Sequence, residues 1–173
     1  MAIMNVNPTR MELTKLKQKL VSLRRGHKIL KDKRDELMRQ FLLLVKENKE
    51  LRLKVEQSIR EANNHMSLAN MIMSREEIDV ALMMPTQKVG LDVKKKNIMS
   101  VSVPSFDLKM KSPDKSDVYS YGFAFTSGEL DLAVKAVSEI LPDMLRLAEL
   151  EKTCQILSAE IESTRRRVNA LEY

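Results

Sequence analysis

Two histidines and a single cysteine, Cys154, are all the imidazole and thiol groups this 173-residue chain possesses. The chemistry open to it is correspondingly narrow. A zinc site normally takes four ligands drawn from Cys, His and carboxylates, and here it would have to recruit Asp or Glu from scattered positions. No Gly-x-x-x-x-Gly-Lys phosphate cradle, His-Glu-x-x-His pair or Cys-x-x-Cys spacing occurs. The sequence therefore offers no catalytic, cofactor-binding or metal-binding constellation, and the expectation is a non-enzymatic protein. His27, beside Gly26, falls on an apolar helical seam and reads as a polar seam residue that fixes register or faces a local gap. Cys154 lies on a second seam and reads as a small buried hydrophobe rather than a redox switch. Alone, it cannot form an intrachain disulfide, which suits a reducing compartment.

What the chain does offer is charge. Its formal net charge is +6, and the excess is concentrated near one end. Between Arg10 and Arg34 stand ten cations (Arg10, Lys15, Lys17, Lys19, Arg24, Arg25, Lys28, Lys31, Lys33, Arg34) against two acids, Glu12 and Asp32. So dense a run repels itself unless something acidic lies against it, and nucleic acid, anionic lipid or an acidic protein surface would all serve. A second run, Arg165, Arg166 and Arg167, spreads around a helix, so its members cannot all face one partner. In a basic leucine zipper the basic region precedes the zipper, whereas here the cations overlap a leucine seam, which argues against that reading.

The elements that carry these charges are helices. With 4% aromatic residues, no Trp, four Gly and 31% charged residues, the composition is that of a long helix or coiled coil. Leu13, Leu16, Leu20, Leu23, His27, Leu30, Arg34, Leu37, Phe41, Leu44, Asn48, Leu51 and Val55 recur at alternating steps of three and four, a heptad seam. The pattern loosens through Ile59, Ala62, Met66, Ala69 and Met73, where methionines can fill an irregular core. The spacing predicts a helix from about Met11 to Met73, ~95 Å long at 1.5 Å per residue, started by Thr9 and Glu12 as a capping box. Leu147, Leu150, Cys154, Leu157, Ile161, Thr164, Val168 and Leu171 form a second seam. Its helix starts near Ser127 or Gly128, and Pro142 is expected to kink or break it.

Between the helices, Val89, Leu91 and Val93 alternate, as do Met99, Val101 and Val103, around a polar link from Lys94 to Ile98. This predicts a β-hairpin, although the link lacks the favoured Asn-Gly. A loop containing Pro113 follows, and then a cluster of aromatic residues, Tyr119, Tyr121, Phe123 and Phe125. The expected fold is mainly α: a long antiparallel two-helix coiled coil with a small β-hairpin and irregular insertion in the middle. Its parts are an N-terminal coiled-coil helix over 1–84, the insertion over 85–127 and a C-terminal coiled-coil helix over 128–173. No apolar run approaches the roughly 18 residues of a membrane span and no secretion signal opens the chain, so a soluble, intracellular protein is expected.

Three stretches carry a resemblance: "NPTRMELTKLK" (Asn7–Lys17), "RGHKILKDKRDELMRQF" (Arg25–Phe41) and "RRRVNALEY" (Arg165–Tyr173). With "KNIMSVSVP" (Lys96–Pro104) and the longer run from Leu147 to Tyr173, the sequence resembles the D subunit of the V-type and A-type rotary ATPases. The likeness covers essentially the whole chain and is weakest over Glu56–Gln87 and Ser105–Ser127. It implies the central axle of a rotary machine, on the cytoplasmic side of a membrane and peripheral to it. That axle carries torque between ATP turnover in the head and ion translocation in the membrane ring. It implies as partners the F subunit along the shaft, the A and B subunits of the head, and the C/d subunit that links to the ring, with no nucleic acid and no membrane insertion. The family's hairpin, implicated in stimulating ATP hydrolysis, corresponds to about Val89–Val103, and the cations of Arg10–Arg34 and Arg165–Arg167 would lie within or near the head. Of these, Arg10, Lys15, Lys17, Lys19, Arg24, Arg25 and Lys28 with Arg165, Arg166 and Arg167 form the candidate head-facing patch. The reading from a different class is a basic coiled-coil protein that binds nucleic acid, or a scaffold.

The resemblance and the seam together raise an expectation about the end of the chain. Family members continue the C-terminal helix for several turns beyond "VNALEY", and no Gly, Asn or Pro caps it here. If the helices fold back near Met73 and Leu130, Tyr173 stands opposite about Leu30, and Leu13, Leu16, Leu20 and Leu23 have no seam partner within the chain. The sequence therefore reads as a truncated product of a longer gene.

Overall fold

The computed structural model describes residues 7–85, 87–110, 118–124 and 126–172. The expectations that fall on Pro113, Phe125 and Tyr173 lie outside these. The elements are helix α1 (Arg10–Ile72), a short helix α2 (Arg75–Ala81), strands β1 (Val89–Ile98) and β2 (Val101–Met110), and helix α3 (Gly128–Glu172). Two compact units are formed. One joins the chain up to Leu42 with the chain from Ile156 onward, and the other is Leu43–Gln155.

In the first unit, Thr9 starts α1: its Oγ1 accepts from the Glu12 N–H at 3.4 Å and its carbonyl from the Leu13 N–H at 3.1 Å. Only this half of the expected capping box is seen, because the Glu12 carboxylate turns to Lys15 Nζ at 2.9 Å. Leu37, Leu157 and Val168 are completely buried and Ile161 nearly so, in the pattern of one helix seam set against another. Cross-helix pairs give the direction. His27 Nε2 lies 3.1 Å from Glu172 Oε1 and Lys33 Nζ 3.3 Å from Glu160 Oε1, so α1 rises as α3 falls. Thr164 is buried on the seam, yet no buried side-chain polar atom among the described residues lacks a partner.

The second unit has the same antiparallel pairing in its own stretch of the two helices. Arg146 bonds Glu47 at 2.7 Å, Lys54 bonds Asp143 at 2.7 Å, and His65 Nδ1 meets Glu129 at 2.9 Å. Val55, Ala62 and Ile140 make one core cluster, with Leu51, Ile59, Ala136 and Leu147 against it. Ala69, Met73, Ile78 and Leu130 make another, packed by Met66, Ala81, Tyr121 and Val134. Alanines at these contacts let the helix backbones approach closely. Pro142 lies inside α3 and does not end it. The lost N–H bond is local, and the buried Ile140 on one side and Leu147 on the other keep the helix face on its cluster. The chain leaves α1 at Met73 and enters α2 through Ser74, which forms a complete capping box with Glu77.

The hairpin is longer than the sequence suggested. Lys94–Ile98, expected as the link, belongs to β1, and Met99, expected on the second strand, is in the turn with Ser100. Both have left-handed backbones, φ 50° and 69°, so the connection is a two-residue hairpin turn whose positive φ values match strand twist. The sequence hid it because neither residue is Gly, Asn or Asp. Such conformations are costly for ordinary residues, so replacing Met99-Ser100 by Asn-Gly is expected to stabilise the chain by about 1 kcal/mol. Thermal unfolding of the double variant checks this; an unchanged or lower midpoint contradicts it.

Candidate functional site

Among the described residues no group of His, Cys, Asp and Glu could hold a metal ion. The candidate site is therefore a set of surfaces. In the first unit every member of the proposed basic patch is exposed or partly so: Arg10, Lys15, Lys17, Lys19, Arg24, Arg25 and Lys28 on α1, and Arg165, Arg166 and Arg167 on α3. They are not equivalent. Lys15 is paired with Glu12, and Arg166 is held by Glu162 one turn earlier. Arg165 lines a hollow of about 580 Å3 with Arg34, Asp35, Met38 and Phe41, while Arg34 is bound to Asp35 at 2.8 Å. Arg10 borders a smaller hollow at the helix start.

Lys19 and Arg24 rim a third hollow of about 500 Å3, whose floor is Leu16, Leu20, Leu23 and Leu171, with His27 and Glu172 at one end. Here the seam is less covered: Leu13, Leu20 and Leu23 are each about half exposed, and Leu16 is half-buried. From His27 onward the seam positions are half-buried or buried, Leu30, Leu44, Phe41 and Leu51 among them. His27 Nε2 pairs with Glu172 where the better-covered part of the seam begins.

On α3, Leu147 and Cys154 are half-buried, Leu150 is buried, and Leu171, in the third hollow, is exposed. Cys154 is thus less enclosed than the expected buried hydrophobe. Burial, and then the charge of Glu151, push its thiol pKa up, away from the reactive thiolate.

The hairpin is the second component, in the other unit. Val101 and Val103 on β2 are buried, and the Phe106 N–H donates to Glu149 Oε2 of α3 at 3.0 Å, so the strand is latched to the helix. Val89, Leu91 and Val93 on β1, paired across to Met110, Leu108 and Phe106, stay largely exposed. Two carboxylates, Asp92 and Asp107, face each other across the strands, and Lys109 and Lys94 respectively neutralise them. Those contacts raise the pKa of both lysines.

Sequence reasoning missed three features. These are the Glu149 latch, the His65–Glu129 pair, and the Tyr121 hydroxyl, which donates to Asp131 Oδ1 at 2.8 Å. Each joins residues far apart in sequence or of unremarkable type, and only the fold brings them together. For Tyr121, burial, then the bond to the Asp131 carboxylate and nearby negative charge, raise the phenol pKa. A phenol held neutral in this way adds stability below its unfolded pKa and loses it as pH rises through the folded value. Tyr121→Phe is accordingly expected to cost about 1–2 kcal/mol at neutral pH. The gap to the parent should narrow above pH ~10; a gap that widens there contradicts the assignment.

Residues 12–173, nearly the whole chain, match the family model for the D subunit of ATP synthase. The chain belongs to the ATP synthase D-subunit family. It is similar to the V-type ATP synthase D subunit of Acetivibrio thermocellus, 59% identical over 173 residues, which covers all of this chain and 78% of that protein. The corresponding protein of Clostridioides difficile is 56% identical over 172 residues, 99% of this chain and 77% of its own. That of Clostridium botulinum strain Okra is 53% identical over 171 residues, 98% of this chain and 79% of its own. For the D-subunit family, then, the resemblance read from the helical stretches holds. So does the fold expected from the seams, a mainly helical chain whose long helices pack together, with a small antiparallel hairpin between them in the chain.

Proposed function

We propose that the chain is the central-stalk rotor of a V-type ATP synthase, a non-catalytic axle that passes torque between ATP turnover in the head and ion translocation in the membrane. The observation that carries this reading is membership of the D-subunit family over residues 12–173, in a chain whose two long helices pack antiparallel in each unit. Such a pair resists bending and twisting through its seam and its cross-helix ion pairs, while its surface charges bias how it sits against a surrounding ring. In this reading the exposed cations of α1 and α3 face the A and B subunits, the shaft binds the F subunit, and a C/d-type subunit joins the axle to the ring. No described helix is long and apolar enough to cross a membrane, in keeping with a peripheral position. The cytoplasmic side is inferred from the family.

The reading is tested by mixing the chain with the purified F subunit and measuring complex formation by size exclusion with light scattering at low and high salt. A stable one-to-one complex at both is expected. Absence of that complex, with tight retention on DNA that falls steeply as salt rises, would overturn it in favour of nucleic-acid binding, since phosphate contacts release counterions.

A further inference from the structure

Met73, Met83 and Met84, all in the second unit, hold their thioethers in opposite environments. Met83 is 78% exposed and Met84 76%, whereas Met73 is 8% exposed. Met83 and Met84 line a hollow of about 870 Å3 together with Val80, Ala81 and Tyr121. Met73 lies behind that lining: it is buried with Ala69, Ile78 and Leu130, and Ala81 and Tyr121 pack against the cluster. Its sulfur is also engaged, because the Ser127 N–H, at the entry to α3, donates to Met73 Sδ at 3.3 Å. Glu76 and Glu77 rim the hollow. Their charge disfavours anionic oxidants, while an uncharged peroxide is not repelled.

A thioether is oxidised where a peroxide can reach it, and the product is a polar, chiral sulfoxide. We propose that Met83 and Met84 are reversible oxidation sites for hydrogen peroxide, which turn the wall of this hollow from apolar to polar while Met73 keeps the fold. In the step, a sulfur lone pair attacks one peroxide oxygen and the S–O bond forms as the O–O bond breaks. The departing hydroxide takes up the proton left on the transferred oxygen and leaves as water. Sulfur is oxidised by two electrons and the peroxide is reduced by two. The return uses a methionine sulfoxide reductase and a dithiol, which releases the oxygen as water and becomes a disulfide. Position decides the consequence. At Met83 and Met84 the new S=O dipole meets solvent, so no polar group is left buried without a partner. At Met73 the oxygen would enter the cluster of Ala69, Ile78 and Leu130 and disrupt its packing. These sites go beyond the axle role, and their test needs none of the rotary complex.

The full chain is treated with hydrogen peroxide at neutral pH, and oxidation is followed residue by residue by peptide mass spectrometry. Met83 and Met84 should be oxidised about tenfold faster than Met73, or more. Retention on a hydrophobic-interaction column should shorten as they react, and methionine sulfoxide reductase with a dithiol should restore it. Met83→Leu with Met84→Leu keeps the wall apolar but removes both sulfurs, so the same treatment should shorten its retention about twofold less than the parent's. The unfolding midpoint should hold while Met83 and Met84 are oxidised and fall only once Met73 reacts. Oxidation of Met83 and Met84 no faster than that of Met73 overturns the proposal. So does an equal loss of retention in the double variant, or a midpoint that falls before Met73 is oxidised.

Discussion

Leu37→Ala is expected to lower the unfolding free energy by about 2–5 kcal/mol, whereas Leu23→Ala in the same helix should change it by no more than about 0.5 kcal/mol. The two leucines occupy the same heptad position two repeats apart, so the seam period alone does not tell them apart. Their environments differ completely. Leu37 has no exposed surface, and Leu23 is 55% exposed. Truncating Leu37 removes a side chain packed in the seam of two helices with no third layer behind it. The unit must then either leave a cavity or shift one helix against the other, and both are costly. Truncating Leu23 removes contacts that are half made. Urea unfolding followed by far-ultraviolet circular dichroism separates the two, and equal losses would show that the seam near Leu23 is closed in solution.

Val103→Asp is expected to release the hairpin from α3 at a cost of more than about 3 kcal/mol. Roughly 1.5–3 kcal/mol of apolar burial is lost, and a carboxylate is placed where water is excluded. Val103 is 2% exposed, and the Phe106–Glu149 bond is the polar latch that would have to hold the strand without it. An isolated two-stranded hairpin is marginal in water, so undocking leads to local opening rather than loss of the helices. Amide exchange over 89–110 should accelerate by about a hundredfold, with exchange in α1 and α3 little changed. Val93→Asp, on the exposed face at 61%, is the control and should leave exchange nearly as it was. In an assembled V-type complex, the axle reading expects Val103→Asp to lower ATP hydrolysis several-fold without loss of assembly. Faster exchange with an unchanged hydrolysis rate would remove the hairpin from the control of turnover.

The contrast between Leu23 and Leu37 also marks how far the sequence could be read. Period alone placed both on a seam, and the charge count alone placed the cations of Arg10–Arg34 on one stretch of helix, because helix periodicity and charge are local properties that need no partner to be seen. The family was legible for the same reason: long runs such as Arg25–Phe41 carry their identity in order and spacing. The hairpin was visible in outline but not in register. Met99 and Ser100 take up positive φ without a residue that announces it, and the ten-residue strands include lysines that read as a link.

What the sequence by itself determined was the helical character, the two seams, the existence of the hairpin and the position of its charge. Only the tertiary structure decided which seam positions are covered, that Pro142 does not end its helix, that Glu149 latches the hairpin, and that the methionines after α2 stand open beside Tyr121 within an acidic rim. Burial and pairing are properties of two surfaces brought together. The order of residues states what each surface could bury, and only the fold states what lies against it.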